Sequence, residues 1–137
     1  MMMLLAMAAM SANPQCHGMP IAGMVQDYAG LIRKQDSPGI AHLFGKDGII
    51  DNPGANPIRG EAAILAMLSS FKGAVVKTED LTIADVNADS KDWRVTGRFH
   101  QAGLTPAGKD YDVGGSFDST WTCTAEGWRI RRMATGK

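Results

Sequence analysis

The sequence has little of the material from which several common classes of site are built. Among its 137 residues are only two cysteines and three histidines, and the histidines are scattered without the spacing of metal ligands. Its 14 basic and 14 acidic residues cancel, which removes a general attraction to nucleic acids or anionic membranes. We therefore expect no metal site, no cofactor and no nucleic-acid partner.

The two cysteines, Cys16 and Cys123, are far apart in the chain. A bridge between them would close a long loop, worth roughly 4–5 kcal/mol in the chain-entropy description of disulfides. Cys16 lies in the N-terminal tail, however, and Cys123 falls in a strand pattern where buried free thiols are common. The sequence therefore favours free thiols over a disulfide.

The N-terminal stretch is apolar but short. Residues 1–12 end in the small pair Ser11-Ala12, which resembles the end of a secretory signal, and they are too few for a transmembrane helix. No Lys or Arg precedes the run, and Met10 is bulky for its place before a cleavage site. The pattern slightly favours a periplasmic or secreted location over a cytoplasmic one. Residues 19–137 are predicted to form a single domain.

Apolar residues recur at helical spacing in three segments of the first half of the chain. The segments are 20–35, a short stretch that starts at Ser37-Pro38, and 60–72. Ser37 is the predicted N-cap of the second helix, because Ser before Pro is typical of a helix start. Between the second and third segments, residues 48–53 predict a strand, and dense turn residues follow it.

After Gly73 the pattern changes from a helical period to a period of two, which predicts long strands. Apolar residues alternate with polar ones from Trp93 to His100, and again from Phe117 to Cys123. A last strand begins at Trp128. Three helices and one strand followed by an antiparallel meander predict an α+β fold, with the helices packed on one side of a strongly curved antiparallel sheet.

This order, together with the residues placed on it, resembles the NTF2-like superfamily, and within it the SnoaL-like and DUF4440-type domains and the steroid Δ5-isomerases. The residues that carry the resemblance are Val25-Gln26-Asp27-Tyr28, Asp36, Ile40, Leu43-Phe44, Asp47, Asp51-Asn52-Pro53, Arg59-Gly60, Ala63-Ile64, Trp121 and Gly127-Trp128-Arg129-Ile130. The resemblance implies a cone in which the helices and a bent sheet enclose a pocket.

Steroid isomerases need a carboxylate base, a tyrosine and a protonated carboxylic acid. Carried over by position, the tyrosine is Tyr28 and the base position falls on Asn52. The acid position falls on Ser119, or on Asp118 if the alignment slips by one residue. An amide has no basic lone pair near neutral pH. Ketosteroid isomerase activity is therefore not expected.

The resemblance leaves three functional alternatives open. The first is a binding protein for a small hydrophobic molecule, with a pocket lined by Tyr28, Asn52, Phe99, Ser119 and Trp121. The second is an enzyme of the cyclase, dehydratase or hydrolase kind that uses Asp118 or Asp51. The third is an association module, a homodimer formed through the outer face of the sheet. Each of these residues has a structural role as its alternative. Tyr28 can be a core tyrosine, and Asn52 can form a hydrogen bond with the backbone of the nearby turn.

Overall fold

The computed structural model describes residues 16, 21–89 and 92–136. Its helices are α1 (Ile21–Lys34), α2 (Ser37–Phe44) and α3 (Glu61–Ser69), and its strands are β1 (Ile49–Ile50), β2 (Ile58–Arg59), β3 (Val75–Asp89), β4 (Asp92–Leu104), β5 (Asp110–Thr124) and β6 (Gly127–Gly136). Within these ranges no helix is both long and apolar enough to cross a membrane. The predicted signal, residues 1–12, lies outside them.

The α+β architecture is confirmed, and one edge of the sheet differs from the prediction. The strand order is β2-β1-β6-β5-β4-β3, and β3 to β6 form the expected antiparallel meander. Strand β1 pairs parallel to β6, with Ile50 opposite Met133. The predicted antiparallel sheet did not include this short parallel pair. The short strand β2 was also missed, because it follows the Pro-, Gly- and Asn-rich turn and has only two residues.

The start of α2 differs in detail from the sequence prediction. Asp36 is the N-cap, and its Oδ1 accepts a hydrogen bond from the backbone N–H of Gly39 at 3.0 Å. Ser37 is the first helical residue instead of the cap. Both residue types are good caps, and the side chain that reaches Gly39 decides between them.

The helices pack on one face of the sheet, which we call the inner face; the opposite face is the outer face. Along each strand, successive side chains point alternately to the inner and the outer face. The core between helices and sheet is formed by apolar residues that are at most 9% exposed: Met24, Val25, Ala29, Ile40, Ala41, Phe44, Ile50, Ile64, Leu81, Val95, Phe117, Trp121, Ile130 and Met133. The centre of the inner face is therefore filled.

A disulfide joins Cys16 to Cys123, so the expectation of free thiols is wrong. The two Cα atoms are 6.0 Å apart, a usual separation for a disulfide. Beside the bond, the indole Nε1 of Trp128 donates to the backbone oxygen of Cys16 at 3.2 Å. The Trp128 ring packs edge-on against Trp93 with centroids 6.4 Å apart. Cys16 is thereby fixed to the β5–β6 end of the sheet.

Candidate functional site

Ser119 and Trp121, two of the predicted pocket residues, lie in the packed centre. Ser119 is fully buried, and its hydroxyl donates to the backbone oxygen of Val95 at 2.9 Å. The indole Nε1 of Trp121 donates in turn to Ser119 Oγ at 3.0 Å. The serine thus links the sheet backbone to Trp121, the largest fully buried side chain among the described residues.

Tyr28, on α1, contacts the same centre through its ring. It packs edge-on against Phe44 and Trp121, with centroid distances of 6.2 and 6.5 Å. In the described part of the chain its hydroxyl has no hydrogen-bond partner. Burial, and then the charge of Glu79, raise the pKa of Tyr28 well above its ordinary value. The hydroxyl is therefore a protonated donor available inside the fold.

Asn52 follows β1 and lies at an exposed rim of the inner face. Its Oδ1 accepts a hydrogen bond from Thr135 Oγ1 at 2.9 Å, and Thr135 pairs with Phe117 on the inner side. The side chain therefore points to the side that the alternation indicated, but protein does not enclose it. Phe99 is half-buried on β4, opposite Leu81.

The two alternative catalytic residues, Asp118 and Asp51, form ion pairs on the outer face. Asp118 accepts two hydrogen bonds from Arg94, at 3.0 and 2.7 Å. These bonds, more than the charge of Arg94, hold the pKa of Asp118 below its ordinary value. Asp51 pairs with Arg132 at 3.0 Å. Neither carboxylate faces the helices, so this geometry gives no support to a catalytic role for either.

A cavity of about 390 Å³ lies where α1, α2 and the β5–β6 turn meet. Its lining is mostly apolar, with a few charged groups, and consists of Met24, Asp27, Leu31, Leu43, Trp121, Glu126, Gly127, Trp128 and Arg129. Of these, only Trp121 was placed in the pocket from the sequence. Met24 and Leu31 lie in the segment 20–35 that was predicted as a helix from its spacing, but this spacing could not distinguish a cavity wall from a filled core.

Glu79 is a buried carboxylic acid that the sequence assignments missed. It is 3% exposed, lies on β3 and pairs with Gln101 of β4, whose Nε2 donates to Glu79 Oε2 at 2.6 Å. The hydroxyl of Tyr111 donates to Gln101 Oε1 at 3.1 Å. The signal for it was its alternation with Leu81, which places Glu79 on the inner face. Nowhere among the described residues do three His, Cys, Asp or Glu side chains group as metal ligands.

Comparison with known proteins agrees with this architecture. The family described as the SnoaL-like domain matches residues 20–134, whereas a sequence search among curated proteins finds no match. An NTF2-like protein with a cystatin-like fold from Novosphingobium aromaticivorans superimposes with a TM-score of 0.68 at 17% identity, covering 97% of this chain and 86% of that one. A ketosteroid isomerase-like protein from Erwinia carotovora atroseptica gives 0.68 at 17% identity, covering 84% and 91%. At these identities the likeness establishes the fold alone.

Proposed function

Because the chain belongs to the SnoaL-like domain family of the NTF2-like fold, we propose that it binds a small apolar molecule and lacks the steroid isomerase base. The observation that carries this proposal is the mostly apolar cavity between α1, α2 and the β5–β6 turn. Its volume of about 390 Å³ falls within the roughly 300–1,000 Å³ of small-molecule sites. A few polar groups among apolar walls are also typical of such sites.

The walls of the cavity favour a ligand with a flat ring. Leu31 and Leu43 supply aliphatic surface from the two helices, and Trp121 and Trp128 supply aromatic surface from the sheet. The Trp121 indole nitrogen is already bonded to Ser119, so this ring offers apolar contact. Charged side chains in the lining, including Arg129, can orient one polar end of the ligand.

The predicted pocket residues Tyr28, Phe99 and Asn52 do not line the cavity. Tyr28 holds Trp121 from the side and carries an available hydroxyl donor. Phe99 and Asn52 lie on the inner face outside the lining of the cavity, so this proposal gives them no direct contact with the ligand. Since Asn52 cannot remove a proton near neutral pH, the proposal is one of binding and not of isomerisation.

Thermal-shift screening with hydrophobic ring compounds tests the proposal. A ligand at ten times its Kd stabilises the folded state by about 1.4 kcal/mol, which raises Tm by roughly 3–6 °C for a domain of this size. Leu43→Trp, which fills the cavity, should abolish the shift. Val75→Trp is the matched control, because Val75 is 41% exposed and does not line the cavity.

Two results would contradict binding in this cavity. One is a panel that leaves the Tm of the wild-type protein unchanged. The other is a ligand that stabilises the Leu43→Trp variant as strongly as the wild type. Leu31→Trp, placed on the other helix, repeats the test if Leu43→Trp lowers the Tm of the ligand-free protein.

We also propose that the protein forms a homodimer through the outer face of the sheet. This face carries charges of both signs, with Arg94 paired to Asp118 and His100 within 2.8 Å of Asp112. Such a surface can complement a second copy of itself. Light scattering after size exclusion at several concentrations tests the dimer, and a constant monomer mass would contradict it.

A further inference from the structure

Glu79 is a nearly wholly buried carboxylic acid that forms no salt bridge with any residue that the structure describes. Gln101 donates to its Oε2, whereas Oε1 has no hydrogen-bond partner among the residues that the structure describes. Arg33 comes close, but its Nη1 donates to the backbone oxygen of Glu79, at 2.6 Å. In the described ranges, no Lys, Arg or His forms a salt bridge with the carboxylate. Buried charges are normally paired, whereas the positive charges of Arg33 and His100 act on this carboxyl without a direct ion pair.

The surroundings of Glu79 hold it in place and leave the inner face accessible on one side. The Tyr111 hydroxyl donates to the side-chain oxygen Oε1 of Gln101. This bond orients the Gln101 amide so that its Nε2 points at Glu79. Across β4 and β5, Val113 pairs with Gln101 and is 48% exposed. The inner face is therefore open to solvent beside the carboxylate, in contrast to the packed centre at Ser119.

We propose that Glu79 anchors a second ligand site, on the inner face of β3–β5, that binds the ammonium group of a small amphipathic amine. The ammonium would donate to Oε1 and form a direct ion pair with the carboxylate. The apolar part of the amine would lie along Phe99 and Val113, on the same face. This site shares no residue with the lining of the apolar cavity, so it stands or falls independently of the proposed function.

Several charged and titratable groups surround this carboxyl. Tyr28 and Arg33 approach from α1, Tyr111 from β5, and Asp80 and His100 lie on the outer side of β3 and β4. Burial raises the pKa of Glu79 most, Asp80 raises it further, and the Gln101 bond, Arg33 and His100 lower it. An amine binds the ionised carboxylate. Binding therefore releases a proton from the protonated fraction, and affinity falls as the pH falls through the raised pKa.

Isothermal titration with 2-phenylethylamine, and with 2-phenylethanol as its neutral counterpart, tests the proposal. We expect the wild type to bind the amine at least ten times more tightly than the alcohol. Glu79→Gln, which keeps the shape of the side chain, should remove this preference. Asp112→Asn is the matched control, because it removes a carboxylate from the same end of the sheet but from the outer face, and it should retain the preference.

The proposal is overturned if the wild type does not bind the amine, if it binds the alcohol equally, or if Glu79→Gln retains the preference. If Glu79→Gln fails to fold, a measurement on the wild type alone still tests the proposal. Titration below neutral pH in two buffers of different ionisation heat should show proton release on amine binding. The same heat in both buffers at every pH tested would overturn the proposal.

Discussion

Removal of the Cys16–Cys123 disulfide is the perturbation whose effect can be worked out most directly. The two cysteines are 107 residues apart, so the bond closes a loop that contains most of the fold. In the chain-entropy description, a loop of about 100 residues corresponds to about 4.7 kcal/mol. Small domains are stable by roughly 5–15 kcal/mol. We therefore expect the Cys16→Ser/Cys123→Ser protein to lose a third or more of its stability.

Urea unfolding followed by tryptophan fluorescence measures this loss. With a slope of about 2 kcal/mol per molar urea, the midpoint should fall by roughly 2–3 M. Cys16→Ser alone should lose as much as the double variant, since either change breaks the bond. Adding a reductant should destabilise the wild type and leave the double variant unchanged, which controls for effects of the reductant itself.

A midpoint that moves by less than about 0.5 M, equivalent to about 1 kcal/mol, would refute this reasoning. It would show that the unfolded chain gains little freedom when the bond is removed. A larger loss in Cys123→Ser than in Cys16→Ser would assign the excess to packing in β5, because Cys123 is half-buried there. The comparison thus separates the effect on the unfolded state from the effect on the folded one.

Two further predictions concern the inner face. Ser119→Ala should cost about 2–4 kcal/mol in urea unfolding, because it leaves the buried Trp121 indole N–H without its acceptor and removes the bond to the Val95 carbonyl. Thr120→Ala, on the outer face, is the control, and an equal loss in both would contradict the role of Ser119. Burial raises the folded-state pKa of Glu79, so the folded protein binds this proton more tightly than the unfolded chain does. The resulting contribution to the free energy of unfolding is present at low pH and is lost as the pH rises through the folded-state pKa. The Tm of Glu79→Gln should therefore rise relative to the wild type as the pH rises from about 4, near the ordinary pKa of Glu, through the raised pKa of Glu79, whereas a constant difference would contradict the raised pKa.

The sequence predicted which face of the sheet most side chains occupy, because strand alternation is rigid. A slip of one residue at Trp121 would turn the whole apolar set of β5 to solvent, so Ser119 had to face inward and Asp118 outward. The same reasoning placed Asn52 and Asp51 on opposite sides. The two-residue strands β1 and β2 carry too little pattern for this, and the parallel pairing of β1 with β6 was missed for that reason.

The remaining differences arise from contacts between distant parts of the chain. The disulfide depends on the position of Cys16 beside Cys123 of β5, which no local pattern encodes. Glu79 was passed over because it lies between two apolar runs, Val75-Val76 and Leu81 to Val86, which predicted one interrupted strand. The structure instead continues β3 through it, with register shifts between Val76 and Thr78 and between Ile83 and Asp85. Such irregularities bend a strand without ending it.

The packed centre divides the space between helices and sheet into two regions with different chemistry. Ser119, Trp121 and Phe117 are at most 3% exposed and lie between the apolar cavity and the part of the inner face beside Glu79. The amide at Asn52 removes a base from the position that the isomerase resemblance implies, while Glu79 puts a carboxylate on a different strand of the same face. A change in one region should therefore leave binding in the other intact. Leu43→Trp should abolish binding of the ring compound and retain binding of the amine, whereas Glu79→Gln should do the reverse.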